Sequence, residues 1–583
     1  MKKQRILYSG LILLTVCCAL GFFLRTAVPN HQFEKFTDSV FCNEVVSDTL
    51  TLHYTIANPA SYGIKDYPVT FGEFPQISKI SDEDISSGMA SENYSQILTT
   101  FDKNKLSHEN QLTYDILKYC LDKRKEGLPF YLYPEILSPG QGIQSQLPIV
   151  LAEYEFRNKT DISNYLDLLS QMDTYFDAAI KYEQERAENG VSLADFAIRT
   201  DIEQCDQFLN NQDNHYMITT FQTRLDGLSS LTQEEKQAFI QQNNTVLKDH
   251  VFPAYKNLKE ALEGMEAAAP DNMALCRLPQ GKEYYQYLVQ SITGSSKTIP
   301  EIKKRMQSEF STDFVAYSDL INDYTTLEAS LSDDLFGDSP DLMLKDLKKK
   351  IGTDFPELKE SNYSIKYVDD SLQDFMSPAF YMTPAIDDNK KNVIYINPAS
   401  SYSSLNLYTT LAHEGYPGHL YQTLYFNQQN PSPIRNILSF GGYTEGWALY
   451  VEMYSYDLAE EDPAFCEIQR LNHAIQLCLF SFMDIGIHYD GLMKADVFDN
   501  LSRYGINDPD SQEQIYEYIS EEPGNYLKYY LGYLEFMDLR KDAETALGDK
   551  FDLKSFHKFL LDNGPCPFSI ISQQEQKWIN QNN

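Results

Sequence analysis

Two histidines and two glutamates carry the chemistry of this chain. His413-Glu414-Gly415-Tyr416-Pro417-Gly418-His419 is followed by Thr444-Glu445-Gly446-Trp447. Two neutral imidazoles and one carboxylate, from His413, His419 and Glu445, are the donor set of a catalytic zinc site that keeps one position for water. Glu414 stands next to the first of them, where a general base for that water belongs. The pattern predicts a hydrolase holding one zinc ion. Peptides are its expected substrates.

The spacing constrains the backbone. Zinc helices with histidines at i and i+4 present both on one face. Here the second histidine comes at i+6, and on an unbroken α-helix the two side chains point about 120° apart. Pro417 lacks a backbone N–H and Gly418 accepts unusual dihedrals, so a distortion at these residues is required to bring His419 round. Without it, the two histidines merely flank a turn. Glu445 follows His419 by enough chain for the end of a helix, a loop and a return. Glu452 shares the face of Glu445. It either orients a ligand or sits on a solvated surface, and the surface role is the expectation.

The surrounding pattern is mainly helical. Ile162, Tyr165, Leu166, Leu169, Met172, Phe176, Ala179 and Ile180 form one apolar stripe, with Thr160 and Asp161 able to cap its start and Gly190 its end. Thr232 with Glu235, and Thr298 with Glu301, read as capping boxes; Pro300 is tolerated in a first turn. A last long helix starts after Pro523-Gly524 and stops near Gly548. Ala379–Met382 and Val393–Ile396 read as a hairpin ahead of the metal motif. Its edge could pair with an extended peptide, or the hairpin is purely structural.

The length of 583 residues is enough for about three or four domains. No Gly/Ser or Pro-rich linker divides the chain, so a single large helical body over 29–583 is expected, its metal-site half at about 370–583. A formal charge of -36 argues against nucleic acid and against a peripheral hold on anionic lipid. The N-terminus differs: Lys2, Lys3 and Arg5 precede an apolar run from Ile6 to Leu24. Residues 1–28 therefore read as a signal or membrane anchor with its basic end cytoplasmic. The body is then extracytoplasmic: single-pass, lipid-anchored at Cys17 or Cys18, or secreted if the segment is cleaved. The other cysteines are scattered, without a C-x-x-C pair, so a cysteine zinc site is not expected. Most read as small buried residues, with one or two disulfides left open.

The chain resembles the bacterial family of domain of unknown function 885. His-Glu-x-x-Pro-Gly-His and Glu-Gly-Trp-Ala-Leu-Tyr both stand in this sequence. Gly142–Pro148, the Pro378–Pro398 hairpin, Asp484–His488, Tyr529–Gly532 with Leu539-Arg540, and Phe556–Gly564 look like further family segments, so that the resemblance spans roughly 50 to 575. The family is similar to gluzincin-type peptidases. That implies a mainly α, bilobed fold with a deep channel, His413, His419 and Glu445 as ligands, and Glu414 as base. Tyr529, matching the tyrosine before the family's glycine, is the candidate oxyanion donor. His488, one turn after Asp484, either contacts substrate or a ligand, or forms a structural pair. His557 and Arg540 are expected in structural contacts rather than on a substrate carboxylate, and His473 is assumed structural. Two other readings stay open: a zinc amidase or esterase on a non-peptide bond, and a surface protein that holds peptides without cutting them.

Overall fold

Local capping sets the helix boundaries. The computed structural model describes residues 28–74, 90–323, 335–368, 373, 377–400 and 403–583. The N-terminal anchor segment lies outside the described residues, apart from Val28. The stripe starting at Ile162 is two helices, Lys159–Leu169 and Met172–Glu188. Its cap is Asn158, earlier than expected, with Asp161 completing the capping box. The break at Ser170-Gln171 has a local cause: both side chains bond the Asp167 carbonyl, at 2.7 and 3.0 Å, and compete with helix continuation. The Thr232 capping box opens Gln233–Val246. Glu301 bonds back to the Thr298 N–H at 2.8 Å. Asn525–Leu547 lies where the sequence placed it, and Leu553–Asn563 and Phe568–Asn582 follow it.

These helices build a mainly α fold around two large hydrophobic cores. One contains Leu137, Tyr165, Phe176, Phe208, Phe221, Tyr255 and Met273, with Phe71 added from upstream. The other joins Phe33–Leu121 to Leu275–Ile579. The chain thus starts the main body, leaves to form an inserted lobe, and returns to finish the body. The metal-site half is not self-contained, because the N-terminal helices share its core.

The expected hairpin is present, with one strand more. Strands β1 (Ser364–Tyr367), β2 (Ala379–Met382) and β3 (Val393–Ile396) pair in the order β1-β3-β2. β2 is antiparallel to β3 with Ala379 opposite Ile396, and β1 is parallel to it with Ser364 opposite Val393. β1 escaped the sequence reading because polar Ser364 and Lys366 interrupt Ile365 and Tyr367 and the strand is mostly exposed. Tyr395 in the central strand bonds Glu153 of the inserted lobe at 2.8 Å.

The seven cysteines in the described residues are all free. No described helix is long and apolar enough to cross a membrane.

Candidate metal centre

Helix α1 (Ser404–Glu414) delivers His413 and Glu414 and then stops. Gly415 has φ -112° and ψ -94°, the Tyr416–Pro417 peptide is cis, and Gly418 has φ -78° and ψ -135°. Helix α2 (His419–Gln428) starts immediately after. The distortion that the i+6 spacing demands is therefore a full break. Only glycine fits at 418, since a Cβ there would lie 1.7 Å from the His413 carbonyl oxygen.

Helix α3 (Gly441–Ser455) supplies the third donor, and each residue of Glu445-Gly446-Trp447 has a task. The Trp447 indole N–H donates to the Pro417 carbonyl at 3.0 Å, fixing the turn between the two histidines. Gly446 lets α3 cross helix α5 (Asn525–Leu547), where a Cβ would meet the Gly532 carbonyl carbon at 2.4 Å. Helix α4 (Pro463–Ile485) runs between these two in sequence and carries His473.

The donors converge. One ligand atom each from His413, His419 and Glu445 lies within 4.8 Å of the others. Glu445 Oε2 is 3.6 Å from His413 Nε2 and 3.4 Å from His419 Nε2. Tetrahedral zinc with bonds of about 2.0–2.2 Å holds its donors about 3.4 Å apart, and both carboxylate–imidazole separations match that spacing. Burial disfavours a charged His413, but hydrogen bonds to Glu445 and Glu452 and the charges of Glu452 and Glu414 outweigh it and raise its pKa well above the ordinary value. Burial likewise opposes charge on Glu445, and the two histidines reverse that, holding its carboxyl far below the ordinary range.

The supporting residues only partly match the sequence reading. Glu414 Oε2 accepts the Tyr381 N–H of β2 at 2.8 Å. The Tyr529 ring stacks 6.2 Å from that of His413, at 27°. Burial first, then the charges of Glu445 and Glu414, push its phenol pKa up. Glu452 corrects the expectation of a solvated face: it is buried, and its Oε2 is 2.8 Å from His413 Nδ1. Its Oε1 is 3.3 Å from Nδ1 of His473, a residue that sequence reasoning left without a partner. The spacing of Glu445 and Glu452 along one helix face was the only available signal for this chain of contacts.

His488 corrects a second expectation. It takes no part in this cluster: its Nε2 bonds the Ile519 carbonyl at 3.1 Å, and its Nδ1 accepts the Leu275 N–H at 3.4 Å. Burial lowers its pKa to about 4. Its supposed partner Asp484 instead receives the Tyr285 hydroxyl and, at 2.7 Å, the Gly524 N–H. His557 is a core residue, its ring bonded to the Asp354 carbonyl at 2.7 Å and to the Tyr450 hydroxyl at 2.9 Å, with Arg540 reaching the same hydroxyl at 3.2 Å.

Residues 75–574 match the family described as bacterial protein of unknown function, DUF885. The chain belongs to that family. No curated protein matches this DUF885 chain. Its fold is similar to a solved structure described as "the putative lipoprotein from Colwellia psychrerythraea", with TM-score 0.82 and 20% identity, over 95% of this chain and 99% of that one. A second, "a putative lipoprotein of unknown function from Shewanella oneidensis", gives TM-score 0.67 and 15% identity over 93% and 99%. At such identities the likeness shows the fold of the DUF885 chain and no more.

Proposed function

We propose that this DUF885 chain is a zinc-dependent hydrolase of peptide bonds. The convergence of His413, His419 and Glu445 beside Glu414 carries this reading. Those three residues would hold the ion. When bound, zinc would polarise a substrate carbonyl and acidify water.

The protein's own groups have distinct tasks. Glu414 Oε2 is occupied by the Tyr381 N–H, which leaves Oε1 to take a proton from the attacking water and pass it to the leaving amine. The Tyr529 phenol, kept protonated by burial and by the two nearby carboxylates, donates to oxyanion charge. Glu452 fixes the ring orientation of His413.

Peptide is favoured over other carbonyl substrates by the strand beside Glu414. Asn397 N–H bonds the Pro378 carbonyl, so by antiparallel alternation Ala379 and Tyr381 turn their backbone groups away from β3. The Tyr381 N–H is held by Glu414, which leaves the Ala379 backbone groups and the Tyr381 carbonyl for an extended peptide to pair with, without regard to side-chain identity. The body is proposed to be extracytoplasmic and attached through residues 1–28. The basic and apolar N-terminus supports this, as do the lipoprotein descriptions of the two structural neighbours.

The test is elemental analysis of the purified protein, then mass spectrometry of a mixed peptide library with and without chelator. Stoichiometric zinc and chelator-sensitive cleavage are expected. Peptides returned uncut by the zinc-loaded protein would overturn the reading. Membrane fractionation with and without residues 1–28 tests the attachment.

A further inference from the structure

Arg435 lies in the short helix Pro433–Asn436 between α2 and α3, away from the metal ligands in the chain, and is only 4% exposed. Among the described residues its two hydrogen bonds leave from Nη2, to the carbonyl oxygens of Asn563 and Pro565 at 2.8 and 3.0 Å, and neither Nη1 nor Nε has a partner there. Among the described residues no carboxylate forms an ion pair with it; Glu109 acts only at longer range. A buried guanidinium without a counter-charge is strongly disfavoured, because its desolvation goes uncompensated. Two carbonyl dipoles and the Phe426 ring, 5.2 Å away, answer part of that cost and supply no negative charge.

Arg435 lines a cavity of about 530 Å³. Leu112, Phe426, Phe559 and Trp578 form its apolar walls, with Trp578 stacked on Phe559 at 5.3 Å. The volume and the single buried charge among aromatic walls suit a small-molecule site. At the rim, Lys558 is already paired with Asp562, and Glu109 adds a further negative charge. One uncompensated cation beside one rim carboxylate cannot balance a dianion such as a phosphate ester.

We propose that this cavity binds a small organic monocarboxylate, its carboxylate on Arg435 and its aromatic or branched apolar body against Trp578 and Phe559. Free acids and the C-terminal ends of peptides both present that chemistry. None of the proposed metal ligands lines the cavity, and the site does not depend on the peptidase reading.

The chain's own fluorescence can report the binding. Its two tryptophans are Trp578, on the cavity wall, and the fully buried Trp447. 3-Phenylpropionate would be titrated into the full chain with chelator present, so that no bound metal competes for the acid. A saturable change in emission is expected, lost in Trp578→Phe. The neutral 3-phenylpropionamide, and the acid on Arg435→Gln, should each bind roughly tenfold more weakly or worse. A short peptide ending in phenylalanine separates the two sources: tighter binding than the free acid assigns the site to chain ends, weaker binding to a free acid. Equal binding of acid and amide by the parent chain, or no saturation below about 10 mM, would overturn the proposal. That comparison needs no variant, so it stands even if Arg435→Gln fails to fold for want of its bonds to Asn563 and Pro565.

Discussion

Nδ1 of His413 is held 2.8 Å from Oε2 of Glu452, on the side of the ring opposite the nitrogen that faces Glu445. The contact selects which ring nitrogen is free to ligate. Glu452→Ala should lower zinc affinity by about 10–100-fold, measured by competition with a chromogenic chelator. An unchanged affinity would remove Glu452 from the centre.

Glu414 touches no histidine nitrogen and is held by a backbone N–H. Glu414→Gln should keep stoichiometric zinc while peptide turnover falls by about 10²–10⁴. Parent-rate hydrolysis by this variant would refute the assigned base.

Tyr529 is a donor rather than a ligand in this scheme. Tyr529→Phe should leave the metal content intact and reduce kcat more than it alters KM, by about 10²-fold or more. Steady-state kinetics on a cleaved library peptide decide it; a change in KM alone would assign Tyr529 to binding.

At Gly446 the backbones of α3 and α5 come close enough that a Cβ would lie 2.4 Å from the Gly532 carbonyl carbon. Gly446→Val must push the helices apart, at a cost of about 1–3 kcal/mol or more, and it shifts Glu445 relative to Tyr529. A lowered Tm together with lost zinc is expected. A fully metallated variant with parent Tm would contradict the packing described.

A pH dependence of stability follows from the junction between lobe and body. Burial, then the charges of Glu522, Glu517 and Glu135, push Glu521 up to about 8 from its ordinary 4.5. Burial also raises Glu135 to about 7, despite Arg186. Between the ordinary and the raised values the folded chain holds protons that the unfolded chain has released, so stability is greatest below about pH 4.5 for these groups and falls as pH rises toward 8. Glu521→Gln should therefore raise Tm by a few degrees at the alkaline end of that window and change it little at the acidic end. Equal shifts at both ends of the window would show that Glu521 is not responsible.

What could be read in the sequence depended on whether one segment contained the whole signal. His413, Glu414, His419 and Glu445 are marked by residue type and spacing, and the need for a break at Pro417-Gly418 follows from helix geometry alone. The role of Glu452 does not, because the same helix position serves either a buried contact or a wet face until α4 is seen to cover it with His473. Asp484 and His488 misled because the i, i+4 rule assumes an α-helix, whereas residues Gly486–Asp490 form a π-helix and both side chains are taken by other parts of the chain. β1 alternates Ser364 and Lys366 with Ile365 and Tyr367, but four residues that are mostly exposed are too short a pattern to stand out as a strand.

The insertion of one lobe into the other imposes an order of assembly. The lobe's core is drawn almost entirely from one continuous stretch, Leu137 to Met273, and can condense while synthesis continues. The body's core needs both Phe33 and Ile579. Its first helices must wait, with apolar faces unsatisfied, until the ribosome has released nearly the whole chain, so a truncation near the C-terminus would spare the lobe and undo the convergence of His413, His419 and Glu445.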